Sequence, residues 1–210
     1  MKIAKMLRRR GHIYEVRFDD DTYINVDISL AEEKKLKEGI EIDDEGAFAL
    51  EDESDFRRCT SRALYYLSQS GKSEKALYDR LIKAGFSKTA TDKTVERMKQ
   101  LSYINDDDYA ASQSVKLSQA GFSKRETINR LIKAGISPDK AKEVCDFDSD
   151  TEKEKIRRLL EKKYKDKLSS PENVQKTAQA LLRRGFVFSD IRAVLKDFDS
   201  RLDSGECSNE

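Results

Sequence analysis

Side chains able to do acid–base or metal chemistry are few in this sequence, and they are scattered. His12 is the single histidine. It stands in a basic segment with no cysteine or carboxylate spaced to share a metal or relay a proton, and it reads as an ordinary surface residue. Cys59, Cys145 and Cys207 are odd in number, far apart and form no Cys-x-x-Cys pair. That pattern suggests neither a disulfide framework nor a zinc site, and it fits a reducing compartment. The run Asn105-Asp106-Asp107-Asp108-Tyr109 offers carboxylates to a hard cation, but successive aspartates at a helix start point in different directions and already stabilise its positive end. No Gly-x-x-x-x-Gly-Lys-Ser/Thr loop, Gly-x-Gly-x-x-Gly turn or Gly-x-Ser-x-Gly elbow occurs. The expectation is a chain that is not an enzyme, with no catalytic residues, no cofactor and no metal.

What does recur is positive charge. Lys72, Lys75, Arg80 and Lys83 form one cluster, Lys124, Arg125, Arg130 and Lys133 a second, and Arg183 with Arg184 a third. Taken singly, each is a solvated helix position whose cation suits the negative end of the helix dipole. Their recurrence supports a further reading, in which a stacked array aligns the clusters into a stripe suited to an acidic protein groove or to phosphates. The candidate partner-binding residues are therefore Lys72, Arg80, Lys83, Lys124, Arg125, Arg130, Lys133, Arg183 and Arg184.

The elements that must position this charge repeat as well. "RLIKAGFS" from Arg80 to Ser87 returns as "RLIKAGIS" from Arg130 to Ser137 and, more loosely, as "ALLRRGFV" from Ala180 to Val187, so Gly85, Gly135 and Gly185 fall on one period. Apolar residues precede each glycine at helical intervals: Leu77/Leu81/Ile82, Ile128/Leu131/Ile132 and Ala178/Leu181/Leu182. The glycine is placed as a left-handed helix stop, and Phe86, Ile136 or Phe186 follows to pack back on the last turn. Ser73, Ser123 and Ser170 are placed to cap the middle helices, and Ser87, Ser137 and Ser189 the next ones, with Pro138 and Pro171 at first-turn positions. Ser123-Lys-Arg-Glu126 has the form of a capping box. A further helix precedes each middle one, over roughly 56–69, 106–119 and 151–167, with Gly71 and Gly121 closing the first two. The aromatics Tyr65, Tyr66, Tyr78, Phe86, Tyr103, Tyr109, Phe122 and Phe186 fall largely on apolar helical positions and read mainly as core.

The 210 residues, 37% hydrophobic and 39% charged, are too polar for one thick core and fit an elongated helical protein. Charge is uneven, about −7 over residues 1–56, +6 over 57–148 and +2 over 149–210. The basic start lacks the apolar stretch of a signal peptide, and no apolar run approaches membrane-spanning length. Alternation in "IYEVRF" and "YINVDI" around Asp19–Asp21 predicts a β-hairpin. A short helix capped by Ser29 and ended by Gly39 should follow it, and then an acidic linker over "IEIDDEGAFALEDES". The organisation expected is all-α: an N-terminal β-hairpin extension and acidic linker (1–52), then three three-helix repeats (53–104, 105–148 and 149–200) in an elongated curved rod, and a disordered tail (201–210).

The residues resemble the RecX family, regulators of the bacterial RecA recombinase. The resemblance covers about 57–200 and rests on Ala63-Leu64 with Leu67, Ser73 with Leu77 and Leu81, Lys83 with Gly85-Phe86, "LSYINDDDYA" from Leu101 to Ala110, and Gly121-Phe122 through Gly135-Ile136. Tyr103-Ile104-Asn105-Asp106 with Tyr109-Ala110 is its most specific block. Gln69 and Ser70 stand where RecX sequences often carry arginines, and Ala76 where they often carry glutamate, which thins the basic stripe of the first repeat. The resemblance implies a rod that binds in the helical groove of a RecA–DNA filament, restrains ATP hydrolysis, strand exchange and coprotease activity, and favours disassembly. With RecA as partner, the expectation is a cytoplasmic monomer with no membrane attachment. The alternative is a helical-repeat protein that uses the basic stripe directly on single- or double-stranded DNA.

Overall fold

A computed structural model describes residues 1–146, 151–164 and 171–203. The chain forms two compact units that divide after Asn105.

The first unit opens with a three-stranded antiparallel sheet, β1 (Ile3–Arg9), β2 (Ile13–Phe18) and β3 (Tyr23–Asp27), in that order. The expected hairpin is present as β2 and β3, with Val16 opposite Ile24 and Tyr14 opposite Val26. Its turn is held by the Asp20 carboxylate, which accepts from the Thr22 amide and hydroxyl at 3.0 and 2.6 Å. Strand β1 is an addition to the expected hairpin, because "KMLRR" alternates too weakly to announce a half-buried strand. An irregularity between Ile3 and Lys5 lets Ile3 face the core while Lys5 faces solvent. Ile3, Val16, Phe18, Ile24 and Val26 meet Leu30, Ala31 and Ala47 in one buried cluster.

Helix α1 (Ile28–Glu33) is capped by Asp27, whose carboxylate accepts from the Ser29 and Leu30 amides, so the cap lies two residues before Ser29. The helix also ends before Gly39, at a left-handed Lys35 with φ 52°. The expected acidic linker is instead mostly helical. Helix α2 (Asp44–Gln69) starts at an Asp43 cap, and its first-turn carboxylates Asp44 and Glu45 favour the positive helix end. The acidic residues that suggested a linker lie mainly on its outer side, while Ala47 and Leu50 pack on the sheet core. Ser54 accepts the Asp27 amide at 2.7 Å. Farther along, Cys59, Ala63, Tyr66 and Leu67 pack against α3 (Glu74–Lys83) and α4 (Lys88–Gln100) around Leu77, Leu81, Val95 and Met98. One helix thus joins the sheet to the first three-helix bundle. It ends in an extended Ser70, and Gly71 lacks the positive φ of a helix stop.

The second unit holds α5 (Asp106–Gln119), α6 (Lys124–Lys133), α7 (Pro138–Glu143), α8 (Glu152–Leu159), α9 (Pro171–Arg183) and α10 (Phe188–Asp203). Helix α8 spans Glu152–Leu159 and runs on as a π-helical turn, Leu160–Tyr164. Leu131, Ile136, Ala141 and Val144 centre one core, and Ile156, Leu160, Leu181, Phe186 and Ile191 another. Ser73, Ser87, Ser123 and Ser137 cap their helices as expected. Ser170 and residues 204–210 of the expected tail lie outside the described residues, while 201–203 belong to α10.

Two start signals fall elsewhere. Helix α10 begins at Phe188, so Ser189 is inside it, and Ile191 donates to the carbonyl of Val187. The third repeat carries two apolar residues more between glycine and serine than the others, Val187 and Phe188, and the helix follows the glycine's register. The reciprocal half of the Ser123–Glu126 box is also missing. Glu126 is held by Arg130 at 2.8 Å, and the Ser123 amide donates to the carbonyl of Arg184 at 3.0 Å. A complete capping box forms between Thr151 and Glu154, where the Thr151 amide donates to the glutamate at 2.7 Å.

Gly85, Gly135 and Gly185 all have positive φ, at 91°, 98° and 89°. A Cβ at Gly85 would meet nothing within 4 Å, whereas one at Gly185 would come within 2.5 Å of both Ser123 Oγ and Glu126 Cβ. Gly85→Ala should therefore cost only the left-handed conformation, about 1 kcal/mol. Gly185→Ala should cost more by roughly 1–3 kcal/mol, because α6 must give way. Urea denaturation of the two variants checks the order, and equal losses would contradict the close approach.

Candidate partner-binding surface

Each middle helix ends in the same backbone arrangement. Phe86, Ile136 and Phe186 donate to the carbonyls of Leu81, Leu131 and Leu181 at 3.4, 3.1 and 3.3 Å, and the preceding glycines donate to Ile82, Ile132 and Leu182 at 3.0, 2.9 and 2.9 Å. This paired closure folds the chain back over the last turn. Leu81, Leu131 and Leu181 go into their cores as a result. The next residue, rotated about 100° around the helix, cannot follow. Ile82, Ile132 and Leu182, which the apolar spacing grouped with the core, are instead 39%, 39% and 43% exposed. An exposed cation follows each of them: Lys83, Lys133 and Arg183. The same exposed pair, a branched apolar residue and then a cation, therefore occurs once per repeat at one offset.

The other cations divide by what holds them. Arg80 lies over the Tyr66 ring at 4.2 Å and Arg130 over the Phe122 ring at 3.9 Å. Stacking of this kind fixes a guanidinium while leaving N–H edges toward solvent. Lys72 donates to Ser70 Oγ at 2.7 Å. Its pKa is lowered, first by partial burial and then by the neighbouring charge of Arg80. Lys75 pairs with Asp79 and Lys124 with Asp146, both on the surface, where such pairs contribute little. Arg125 is exposed near the start of α6.

Arg184 is committed differently. Its guanidinium donates to the carbonyls of Ala120 and Gly121 at the end of α5, and it lies 5.5 Å from the centre of the Phe122 ring. Gly121, at φ 81°, approaches so closely that a Cβ there would come within 2.5 Å of Leu159 and 3.1 Å of the Arg184 guanidinium. The Lys124 amide donates to Glu152 at 3.0 Å across the same junction. Arg184 thus ties the third repeat to the second, and composition alone could not separate it from its exposed neighbour Arg183.

Among the described residues no group of histidines, cysteines and carboxylates is placed to hold a metal, and no helix is long and apolar enough to cross a membrane. The aromatics are divided: Phe186 is buried and Tyr66, Tyr78, Phe86 and Tyr109 pack against cores, but Tyr65 and Tyr103 are exposed.

Two family models match this chain, "RecX, first three-helix domain" over residues 59–98 and "RecX, third three-helix domain" over 150–195. Regulatory protein RecX of Clostridium tetani is 25% identical over 202 residues, covering 93% of this chain and 91% of that protein. Regulatory protein RecX of Streptococcus pneumoniae serotype 19F is 28% identical over 210 residues, covering 97% of this chain and 79% of its own. Among solved structures, a regulatory protein RecX shares the fold with a TM-score of 0.58 at 22% identity, over 93% of this chain and 98% of its own. RecX from Lactobacillus salivarius has a TM-score of 0.51 at 25% identity, over 69% of this chain and 97% of its own.

The division of the two adjacent arginines is testable. Arg184→Ala should destabilise the second unit by about 1–3 kcal/mol, since charge-assisted bonds to backbone carbonyls are lost. Arg183→Ala should stay within about 0.5 kcal/mol of the parent. Chemical denaturation of both variants decides the point, and a neutral Arg184→Ala would remove the tie.

Proposed function

This chain belongs to the RecX family, and we propose that it is a non-enzymatic regulator that binds in the helical groove of a RecA–DNA filament. Bound there, it restrains ATP hydrolysis, strand exchange and coprotease activity and favours disassembly, acting as a monomer in the cytoplasm. The observation that carries this reading is the exposed pair repeated in all three bundles, Ile82-Lys83, Ile132-Lys133 and Leu182-Arg183. A surface that repeats suits a partner that repeats. Each pair alone is a weak contact, an apolar side chain of modest area beside one charge. Once one contact forms on a filament, the others become intramolecular, and tethering of this kind can raise binding by roughly 10²–10⁴.

The effect on the filament then follows from differential binding. A ligand that favours one arrangement of protomers shifts the assembly equilibrium toward it without any chemistry of its own. Arg80 and Arg130 stand two residues before the repeated pairs on the same helices, and with Lys72, Lys124 and Arg125 they add positive charge, which steers the chain toward an acidic groove and speeds encounter more than it strengthens the final contact. The second reading, direct binding of DNA through these cations, is favoured by the guanidiniums of Arg80 and Arg130 held over aromatic rings.

DNA-dependent ATP hydrolysis by the cognate RecA, titrated with this chain, tests the proposal. The parent chain should lower the rate. The triple variant Lys83→Glu, Lys133→Glu, Arg183→Glu should keep its helicity by circular dichroism and require at least about tenfold more protein for the same inhibition. An unaffected rate with the parent chain would defeat the reading. Full inhibition by the folded triple variant would remove the repeated pair from it, and equal loss of binding to DNA alone would favour the second reading.

A further inference from the structure

The N-terminal sheet has two unlike faces. Met6, Tyr14, Val16, Ile24 and Val26 turn inward, onto the core shared with α1 and α2. The other face carries three cross-strand rows: Lys5, Arg17 and Tyr23; Leu7, Glu15 and Asn25; Arg9, Ile13 and Asp27. Charge is divided sharply along the sequence here. Residues 1–18 hold six lysines and arginines against the one carboxylate of Glu15, while residues 19–56 hold fifteen carboxylates against three lysines. The basic part is concentrated on β1, β2 and the turn between them, where Arg10, Gly11 and His12 are all exposed.

We infer that this open sheet face is a binding platform for single-stranded nucleic acid. Three observations point to that occupant. The first is Tyr23, 60% exposed and in one row with two cations. Neighbouring strands lie about 4.8 Å apart, so Lys5, Arg17 and Tyr23 place two phosphate-binding groups and one stacking surface within reach of adjoining nucleotides. The second is the preparation of the arginines. Glu15 accepts from Arg9 Nε at 2.9 Å and from Arg17 Nε at 2.7 Å, which holds both guanidiniums over the face and leaves other N–H groups of each for an anion. Glu15 itself stays charged, with its pKa lowered to about 2 by Arg9 first and then Arg17. The third is what the face lacks. Leu7 and Ile13 are only partly exposed, and the exposed Phe48 of α2 lines a hollow with Asn25 at the edge of the face, so its centre offers no cluster of large apolar anchors such as a protein interface needs. A flat sheet with an aromatic at its surface can stack on splayed bases, which a duplex keeps inside.

This site is separate from the repeated pairs on the helical bundles, and its test contains no RecA, so the two proposals can fail independently. The full chain is titrated into a short fluorescein-labelled oligothymidylate, and anisotropy is followed over a range of salt concentrations. The parent chain should bind with a Kd that rises with salt. Tyr23→Ala should weaken binding roughly 5–150-fold while Tyr23→Phe stays near the parent, because the ring and not the hydroxyl does the stacking. Lys5→Ala should lower the salt slope by about 0.7, the share of one phosphate contact on a single strand. Both side chains are exposed, so circular dichroism should show the fold unchanged. The inference is overturned if the parent does not bind, or if Tyr23→Ala and Lys5→Ala bind as the parent does while Arg130→Ala or Lys133→Ala loses binding. It is equally overturned if polyglutamate competes as well as unlabelled oligothymidylate, which would make the face an acidic-protein site, or if duplex binds tighter and ignores Tyr23→Ala.

Discussion

The structure depends most on one backbone event, the left-handed reversal that ends each middle helix. At Gly85, Gly135 and Gly185 the chain adopts a conformation that side chains with a Cβ resist, and two amides per reversal close onto carbonyls that would otherwise be left open. Core and surface both follow from it. Phe86, Ile136 and Phe186 are brought back onto the last turn, and burial of the leucine beneath them leaves the next apolar residue and its cation outside. Because the reversal is the same in each repeat, so is the exposed pair.

These glycines were legible in the sequence because their cost is specific to residue type. The same closure made by other residues was not. At the end of α4, Ser102 takes φ 57° while Tyr103 donates to the carbonyl of Met98 at 2.9 Å. Lys35 plays that part after α1, with Leu36 donating to Ala31 at 2.9 Å. A serine or lysine in this conformation must be held there by its surroundings, here the partly buried Leu36 on the sheet core and the buried Ile104 just after Tyr103. The start of α2 was hidden for a related reason. Its acidic residues read as a linker by composition, and only the packing of Ala47 and Leu50 on a sheet formed by distant residues selects the helix.

The candidate surface was legible to a similar depth. The sequence located the positive charge but could not say which cations were already engaged. Arg183 and Arg184 are adjacent, yet rotation of about 100° sends one outward and the other onto the carbonyls of Ala120 and Gly121. Glu126 likewise has the spacing of a capping residue, but an arginine one turn away competes for it, and the amide it would have served finds the Arg184 carbonyl instead. The capping motif loses its carboxylate to a charge-assisted pair on its own helix and its amide to a carbonyl from the third repeat. Ile82, Ile132 and Leu182 were seen as part of a helical pattern, and only the position of the reversal decides that they lie outside it.

Helix α2 gives the first unit a property that its two halves would not have alone. Its early residues complete the sheet's core and its later ones complete the first bundle, with no break in hydrogen bonding between them. A rigid shared helix fixes the orientation of the sheet relative to α3 and α4, so the basic outer face and the exposed Ile82-Lys83 pair are held at a set separation within that unit. Arg57 strengthens the join, pairing with Glu33 after the sheet at 2.8 Å and with Glu53 on its own helix at 2.7 Å. The carboxylates along the first half of α2 then have a role beyond solubility. Like charges repel, and an acidic flank beside a basic face directs a polyanion onto the face and away from the helix.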